Sequence, residues 1–509
     1  MFANIQSVGL MGVDGYMVRV EADLSKGLPG FDVVGLPGAA VRESRDRVRA
    51  AIKNTGFTYP VSRITVNLAP ADIKKEGSVY DLALYLALLL ASGQLKADVS
   101  QYAFVGELSL TGQLQAIRGV LPMVLAARDH GIKRIVIPAA NAMEGAVVGG
   151  IEVLAVSHVT QLLEHFAGLE SVKPLSAPAA ETLPDEPMPD FCDVMGQPMA
   201  RRAMEIAAAG MHNILLIGPP GSGKSMLAKR LPSILPDMTA QEALDATKIH
   251  SIAGTLPSGI GLLRQRPFRA PHHNVSAPAL AGGGSAPRPG EVSLAHNGVL
   301  FLDELPEFSR QAMECLRQPL EDEKVTISRV SGSLSFPCSF MLVAAMNPCP
   351  CGFFGHPTRP CTCSSVAASN YLSRISGPLL DRIDLHVEVP PVAYDQLASP
   401  HKEEGSASIR ARVNAARNIQ RRRFQGTDIA GNAQIPAGRL HEFCPVTEAA
   451  DAVLAAAFDR MGLSARTYDR LLKVARTIAD LDGSDVIDVR HISEAVQYRS
   501  LDRKYWTDR

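Results

Sequence analysis

The sequence is poor in aromatic residues and carries no large excess of charge of either sign. Aromatic side chains make up 5% of the 509 residues, so the hydrophobic cores must be mainly aliphatic. The 51 basic residues nearly balance the 52 acidic ones. This balance excludes a polycation that coats nucleic acid or membranes through its net charge, and any contact with nucleic acid must be local.

Long apolar segments are also missing. The longest, Leu82 to Ala91, is far shorter than the roughly 20 residues that a bilayer-spanning helix needs. The first ten residues lack the basic start and apolar stretch of an export signal. We therefore predict a soluble, cytoplasmic protein with no membrane partner. A hydrophobic fraction of 46% against 20% charged residues argues against extensive disorder.

Composition and periodicity divide the chain into four parts. Residues 1–170 alternate short β-branched runs with helical patterns, which predicts an α+β or α/β domain. Residues 171–190 are rich in proline and are typical of a linker. Strands and helices alternate again over residues 191–392, and residues 393–509 are predicted to be helical throughout. The length agrees with several domains in one chain.

A phosphate-binding loop is the most specific motif of the sequence. The apolar run Asn213 to Ile217 predicts a strand, a helical pattern follows Ser225, and the residues between them match G-x-x-x-x-G-K-S. Lys224 would supply a cation to the β- and γ-phosphates of ATP, and Ser225 a hydroxyl to Mg²⁺. The predicted nucleotide-binding residues are Gly218, Pro219, Pro220, Gly221, Ser222, Gly223, Lys224 and Ser225.

Two further predicted strands end in polar residues. The run Val299 to Leu302 precedes Asp303, which could hold Mg²⁺ with Ser225, and Glu304, which could polarise the attacking water. An acidic pair that caps a helix is the alternative. Asn347 follows a third apolar run and could orient the lytic water, although asparagine before proline is also common in turns.

Together these motifs resemble the core of an AAA+ ATPase, with Walker A, Walker B and sensor 1 elements. The phrases Arg266 to His273, Gly290 to His296 and Leu379 to Asp384 resemble its magnesium-chelatase-like branch. With its N-terminal part, the whole chain resembles the YifB/ComM family of competence-associated proteins. The resemblance implies a P-loop αβα core with a helix-2 insert, a pre-sensor hairpin and a helical lid, assembled as a homohexamer with ATP between subunits.

The resemblance also assigns roles to two arginines. Arg382 would be the arginine finger that reaches the γ-phosphate of the neighbouring subunit. A surface arginine paired with Asp381 or Asp384 is the alternative, and Arg374 is the reserve candidate. Arg466 would be a sensor 2 residue that faces the nucleotide. The remaining basic residues of its helix are expected on a solvated face, namely Arg470, Lys473 and Arg476.

The N-terminal part resembles the Lon protease fold over the segments Ala69 to Ser78 and Phe104 to Gly119. A Ser-Lys dyad requires a nucleophile and an amine at fixed places, but Val79 and Leu121 stand at the corresponding positions. Ser78, one position away, is the alternative nucleophile. We predict a noncatalytic domain for assembly or substrate docking, similar to that of the RadA recombination ATPases.

Four cysteines lie close together in the sequence after Asn347. Four thiolates of one small loop can hold Zn²⁺ tetrahedrally and stiffen the segment. The C-x-C spacing is less usual than C-x₂-C, so a redox-active or metal-free thiol cluster is the alternative. The candidate ligands are Cys349, Cys351, Cys361 and Cys363.

The segment Val325 to Phe336 predicts a β-hairpin. Related ring helicases carry a hairpin here that projects into the central channel, where Arg329 could contact a DNA phosphate; a solvated arginine is the alternative. The Gly-rich loop Ala281 to Gly290 resembles the helix-2 insert. Nearby arginines are expected to make this region locally basic, namely Arg264, Arg266, Arg269 and Arg288.

The predicted function is that of an ATP-driven hexameric DNA motor. It would act as a helicase or branch-migration translocase on single-stranded and branched DNA, together with recombinase machinery. Its role would be to promote integration of DNA by homologous recombination during natural transformation. The alternatives are a metal-chelatase-type or protein-remodelling motor without DNA activity. The ATPase chemistry follows from the motifs, whereas the DNA role follows from the resemblance.

Overall fold

The computed structural model describes residues 1–176, 188–257, 259–284, 287–329, 332–356, 358–392, 394, 403–461 and 464–507. The chain forms two compact units. The first consists of Met1–Pro184 and Thr247–Leu263, and the second of Asp185–Ala246 and Arg264–Arg509. Among the described helices, none is both long and apolar enough to span a lipid bilayer.

A mixed sheet forms the centre of the first unit. Its strands and the small β6–β7 hairpin are β1 (Phe2–Met11), β2 (Asp14–Ser25), β3 (Gly30–Val34), β4 (Arg63–Ala69), β5 (Tyr102–Phe104), β6 (Glu107–Leu108), β7 (Leu114–Gln115), β8 (Arg134–Pro138) and β9 (Glu152–Val156). The sheet has the order β3-β4-β2-β1-β5-β8-β9. β2 pairs antiparallel with β1 and β4, and the other neighbours are parallel.

The helices of the first unit cover this sheet. They are α1 (Ala39–Asn54), α2 (Asp81–Ala91), α3 (Val120–Asp129), α4 (Ala142–Gly145) and α5 (Val159–Phe166). The longest apolar run of the sequence becomes α2, which is buried on nearly every side. Its first residue, Asp81, is fully buried and accepts hydrogen bonds from Ser44, Arg47 and the Leu108 N–H. This network ties α2 to α1 and to β6.

A parallel sheet forms the centre of the second unit. The strands of this unit are β10 (Ile214–Ile217), β11 (Phe268–Arg269), β12 (Gly282–Gly283), β13 (Arg288–Pro289), β14 (Val299–Leu302), β15 (Lys324–Arg329), β16 (Gly332–Pro337), β17 (Met341–Met346) and β18 (Leu385–Glu388). The central sheet has the order β11-β14-β17-β10-β18, with every neighbouring pair parallel. β10, β14 and β17 are buried throughout, as expected for strands covered on both faces.

Helices surround this sheet and make up most of the C-terminal region. They are α6 (Pro198–Gly210), α7 (Lys224–Arg230), α8 (Ala240–Ala253), α9 (Ala277–Ala281), α10 (Glu291–Leu294), α11 (Arg310–Glu314), α12 (Pro319–Asp322), α13 (Ser365–Leu372), α14 (Gly377–Leu380), α15 (Ser406–Arg423), α16 (Leu440–Phe443), α17 (Glu448–Met461), α18 (Ala465–Leu481), α19 (Val489–Gln497) and α20 (Ser500–Asp502). The predicted parallel-sheet core followed by C-terminal helices is therefore present.

Residues 247–263 belong to the first unit although the chain around them belongs to the second. Helix α8 enters this segment. There Ser251 donates a hydrogen bond to the carboxylate of buried Glu144, which also accepts from the Leu121 N–H at 2.7 Å. The sequence analysis places these residues in the ATPase core. Local composition does not show that a segment of the second unit's chain packs in the first unit.

The basic residues of α18 do not form a solvated face, so that expectation is wrong. Arg476 is fully buried and pairs with Asp480 at 3.0 Å. Arg470 reaches Asp384 at 3.0 Å, and Lys473 donates to the Ala433 carbonyl oxygen at 3.1 Å. Neighbouring elements enclose α18 on several sides, and each charge is stabilised by a specific partner.

We expect Asp480→Ala to destabilise the second unit strongly. Asp480 is fully buried and also accepts a charged hydrogen bond from Arg423, so its removal leaves two guanidinium groups without their carboxylate. The expected loss is about 3–5 kcal/mol, measured by urea unfolding followed by circular dichroism. The control is Glu442→Ala, which removes an exposed ion pair with Arg439 and should cost at most about 1 kcal/mol. Equal losses in the two variants would contradict this account.

Candidate ATP-binding site and cysteine cluster

The phosphate loop connects the end of β10 to the start of α7. Gly221 and Gly223 have φ values of 76° and 94°, a conformation that favours glycine. Gly218 lies so close to the Val389 carbonyl oxygen that a Cβ atom there would collide with it. Backbone geometry therefore explains these glycines, and the strand-loop-helix setting predicted for the motif is present.

Lys224 brings the phosphate loop and Asn347 together. Its Nζ donates to the carbonyl oxygens of Gly218 (2.8 Å) and Pro219 (2.9 Å) and to Asn347 Oδ1 (3.2 Å). Burial lowers the pKa of Lys224 to about 8, although the carboxylates of Asp303 and Glu304 oppose this shift. If nucleotide phosphates were bound here, the Lys224 ammonium group would donate to charged phosphate oxygens instead of to neutral oxygens.

Ser225 and Asp303 form the second part of the site. The Ser225 hydroxyl donates to Asp303 Oδ2 at 2.6 Å, and Asp303 Oδ1 accepts from the Glu304 N–H at 3.0 Å. A hydroxyl and a carboxylate side by side are hard oxygen donors of the kind that Mg²⁺ prefers. The residues present therefore fit the magnesium site expected from the sequence.

Glu304 adopts an unusual backbone conformation and has a partner that the sequence reading missed. Its φ is 53°, which is uncommon outside glycine and is often found at functional sites. Its carboxylate lies 3.2 Å from His273 Nδ1, and the His273 ring lies against His272 with centroids 4.1 Å apart. No sequence spacing links residues 273 and 304; the pairing of β11 with β14 brings them together.

Arg382 and Arg466 lie at the other end of the parallel sheet. Both line a cavity of about 680 Å³ together with residues that precede β10, β17 and β18. The phosphate loop follows the carboxyl end of β10, so the strand separates the two sites by about 13 Å at 3.3 Å per residue. The structure therefore brings the two arginines together but does not bring Arg466 to the phosphate loop of its own chain.

The partner of Arg382 is neither of the two aspartates considered from the sequence. Its guanidinium pairs with Glu321 and donates to the Pro378 carbonyl oxygen at 2.7 Å. Asp384 instead accepts from Arg470 and from the Asn213 N–H. Burial alone would raise the pKa of Asp384, but Arg470, His212 and the Asn213 N–H hold it well below its usual range. The reserve candidate, Arg374, pairs with Glu307 at 3.1 Å.

The four clustered cysteines converge on one point. The Sγ atoms of Cys349, Cys351 and Cys361 are 3.4 to 3.6 Å apart, and the Cys351 N–H donates to Cys363 Sγ at 3.4 Å. All four Sγ atoms lie within 4.8 Å of one another. A zinc ion with Zn–S bonds of about 2.3 Å holds its sulfur ligands about 3.8 Å apart, so the arrangement fits a tetrahedral site.

The pKa values of the clustered thiols shift in opposite directions: burial raises that of Cys349 to about 12, whereas that of Cys351 is lowered. Burial opposes ionisation of Cys351, yet the N–H groups of Phe353 and Thr362 lower its pKa below the usual range of a thiol. Thiolates are the form of cysteine that ligates zinc.

The region expected to be locally basic is only partly so. Arg266 pairs with Glu242 at 3.0 Å and Arg269 with Glu291 at 2.7 Å, whereas Arg264 and Arg288 are exposed. Strands β15 and β16 form the predicted hairpin, and Arg329 ends its first strand. The side chain of Arg329 lies outside the described residues.

Ser78, the alternative nucleophile, and the nearby Lys75 each have a hydrogen-bond partner. Ser78 donates to the carboxylate of Glu107. Lys75 is buried and its Nζ donates to the Ile73 carbonyl oxygen at 2.7 Å. Neither hydrogen bond joins Ser78 to Lys75, and the noncatalytic domain stays a prediction.

Comparison with known proteins finds similarity along nearly the whole chain. The family model described as magnesium chelatase, subunit ChlI, matches residues 190–397. The one described as subunit ChlI of Mg-chelatase matches residues 20–141, and that of the ChlI C-terminal region matches residues 403–499.

Full-length relatives are also similar. The chain is 45% identical over 502 residues to the YifB protein of Escherichia coli K12, covering 97% of this chain and 96% of that protein. It is 44% identical over 510 residues to the competence protein ComM of Haemophilus influenzae, covering 98% of each. A peroxisomal Lon protease homolog 2 from Oryza sativa is 29% identical over 179 residues, which covers 31% of this chain and 20% of that protein.

The pKa of Lys224 makes nucleotide affinity depend on pH. Bound phosphates stabilise the ammonium form, so affinity should be highest below about pH 8 and fall by up to about tenfold per pH unit above it. The measurement is the Kd of a fluorescent ADP analogue between about pH 7.5 and 9.5. Lys224→Arg is the control, because arginine stays charged over this range and its affinity should not change with pH. The same fall in both proteins would contradict the assignment.

Proposed function

The chain belongs to the YifB/ComM family of magnesium-chelatase-like AAA+ ATPases, and we propose that it is an ATP-driven motor that acts on DNA. The meeting of Lys224, Ser225, Asp303 and Asn347 at one edge of a parallel sheet supports the ATPase activity most directly. ATP is the nucleotide that this arrangement and the family favour.

The residues divide the chemistry of hydrolysis among them. Lys224 and the N–H groups of the phosphate loop would bind the β- and γ-phosphates. Ser225 and Asp303 would hold Mg²⁺, which when bound neutralises charge on the phosphates. Glu304 would orient the attacking water and accept its proton, and Asn347 would position that water against the γ-phosphate.

Arg382 and Arg466 are proposed to act on the nucleotide of a neighbouring subunit. Their position at the amino ends of the strands separates them from the phosphate loop of their own chain. In a closed ring, the amino-end cavity of one subunit would face the phosphate loop of the next. Arg382 would then be the finger that stabilises transition-state charge, with Arg466 beside it, in a homohexamer.

The proposed substrate is DNA. The 44% identical relative is named a competence protein, and the β15–β16 hairpin carries Arg329 at its tip, where it could meet a DNA phosphate. We propose helicase or branch-migration activity on single-stranded and branched DNA, with recombinase partners, during integration of DNA in natural transformation. A metal-chelatase-type motor without DNA activity is the second candidate, because the family models are described by magnesium chelatase.

The other parts of the chain are proposed to support this motor. Residues 1–170 would be a Lon-like noncatalytic domain for assembly or docking; part of the chain is 29% identical to a Lon protease homologue. Residues 171–190 would be a linker, residues 191–392 without the segment 247–263 the ATPase core, and residues 393–509 the lid. The four clustered cysteines would hold one structural Zn²⁺.

A DNA motor should hydrolyse ATP faster when DNA is bound. We expect single-stranded DNA and a four-way junction to stimulate steady-state ATPase activity several-fold, because translocation couples each turnover to the substrate. Glu304→Gln is the blank, since it keeps the site but loses the catalytic carboxylate. A turnover rate indifferent to both DNAs would favour the chelatase-type or protein-remodelling alternative.

Arg382→Ala should reduce ATP turnover by about 1,000-fold or more while leaving nucleotide binding largely intact. Mixing it with Lys224→Ala subunits should partly restore turnover, because an intact phosphate loop then meets an intact arginine from another chain. Arg374→Ala is the matched control, and it should have a much smaller effect. Full activity of Arg382→Ala would exclude the finger role.

A further inference from the structure

The cysteine loop is in direct contact with the phosphate loop. Gly352, next to Cys351, packs against the ring of Pro220, a residue of the phosphate loop. A Cβ atom on Gly352 would collide with Pro220 Cδ and lie 2.8 Å from Cγ. The φ of Gly352 is 82°, so both the contact and the backbone require glycine at this position.

The cysteine loop begins directly after strand β17. Asn347 directly follows β17 and accepts a hydrogen bond from Lys224 Nζ at 3.2 Å. Cys349 comes two residues later and is fully buried. A shift of Cys349 would therefore move Asn347 relative to Lys224.

A third contact holds the loop from the C-terminal segment. The ring of Phe354 packs edge-on against Tyr505, with centroids 6.3 Å apart. The Tyr505 hydroxyl donates to Glu388 at 3.3 Å, and Lys504 pairs with the same carboxylate at 2.7 Å. Because Glu388 ends β18, the loop is fixed beside the carboxyl end of the sheet.

Regular backbone structure does not stabilise this loop. Between Met346 and Ser365, no helix or strand occurs among the described residues. Without a ladder of backbone hydrogen bonds, a segment of this length needs another source of rigidity. An ion held by four thiolates would supply this rigidity, since metal binding adds directly to the stability of the bound conformation.

We propose that Zn²⁺ bound by the four cysteines positions the phosphate loop, so that nucleotide affinity depends on the metal. The ion holds Gly352 against Pro220 and Asn347 beside Lys224. Loss of the ion releases both contacts together and weakens the binding of phosphates without removing any phosphate-binding residue. This inference rests on the ATPase function proposed above but not on the DNA activity.

The test compares metal content with nucleotide affinity in five proteins without DNA. They are the unaltered chain, Cys361→Ser, Gly352→Ala, Gly355→Ala and Lys224→Ala. Zinc per chain is measured by inductively coupled plasma mass spectrometry, and the Kd of a fluorescent ADP analogue by anisotropy. Gly355 is the matched control because its φ is also positive, at 74°, but only the flexible end of Lys504 lies near it.

We expect one zinc per unaltered chain and none in Cys361→Ser, whose Kd for the ADP analogue should rise about tenfold or more. Gly352→Ala should keep its zinc yet lose affinity to a similar degree. Gly355→Ala should keep both its zinc and its affinity for the ADP analogue. Removing zinc from the unaltered protein with a chelator should raise the Kd, and adding zinc back should restore it.

Three results would overturn the proposal. They are an unaltered chain that takes up no zinc, a zinc-free chain with unchanged affinity, and equal losses in Gly352→Ala and Gly355→Ala. Lys224→Ala tests nucleotide binding separately from zinc binding, because this variant should lose nucleotide affinity but keep its zinc. If the unaltered zinc-loaded chain binds no nucleotide, the proposed ATPase function fails with the coupling. If only DNA stimulation is missing, the coupling stands.

Discussion

All neighbouring strands in the central sheet of the second unit run in the same direction, and this constraint decides which residues can meet. Residues that follow the strands collect at one edge, where Lys224 donates a hydrogen bond to Asn347 and Ser225 donates one to Asp303. Residues that precede the strands collect at the other edge, where Arg382 and Arg466 share a cavity. The two groups of residues therefore lie at opposite ends of the strands. We propose a ring of subunits because it would bring the group of one chain to the group of the next.

The signals that mark the residues at the carboxyl ends of the strands are local in the sequence. A strand, a glycine-rich loop and a helix must follow one another, and acidic or amide residues directly follow two other apolar runs. The partners of these residues were harder to predict. His273 meets Glu304, and Glu321 meets Arg382, only because distant elements pack together. Neither pair has a spacing rule that could have indicated it.

Charged residues on helices show a second limit of sequence patterns. The amphipathic pattern of α18 correctly predicts a helix, but it also predicts that each arginine is exposed to solvent. Arg476 is instead fully buried beside Asp480, and Arg470 reaches Asp384. Periodicity shows which residues share a face, but it does not show what covers that face. The same limit applies to Arg266 and Arg269, whose positive charges are offset by Glu242 and Glu291.

Helix α8 gives the two units a shared stretch of chain. Its last residues and those that follow complete the first unit, where Ser251 satisfies the buried carboxylate of Glu144. A truncation within the proline-rich residues 171–190 would therefore leave the N-terminal fragment without residues 247–263. Glu144 would then lose the hydrogen bond that Ser251 donates to it. The proline-rich residues mark a change in composition, but the first unit takes residues from both sides of them.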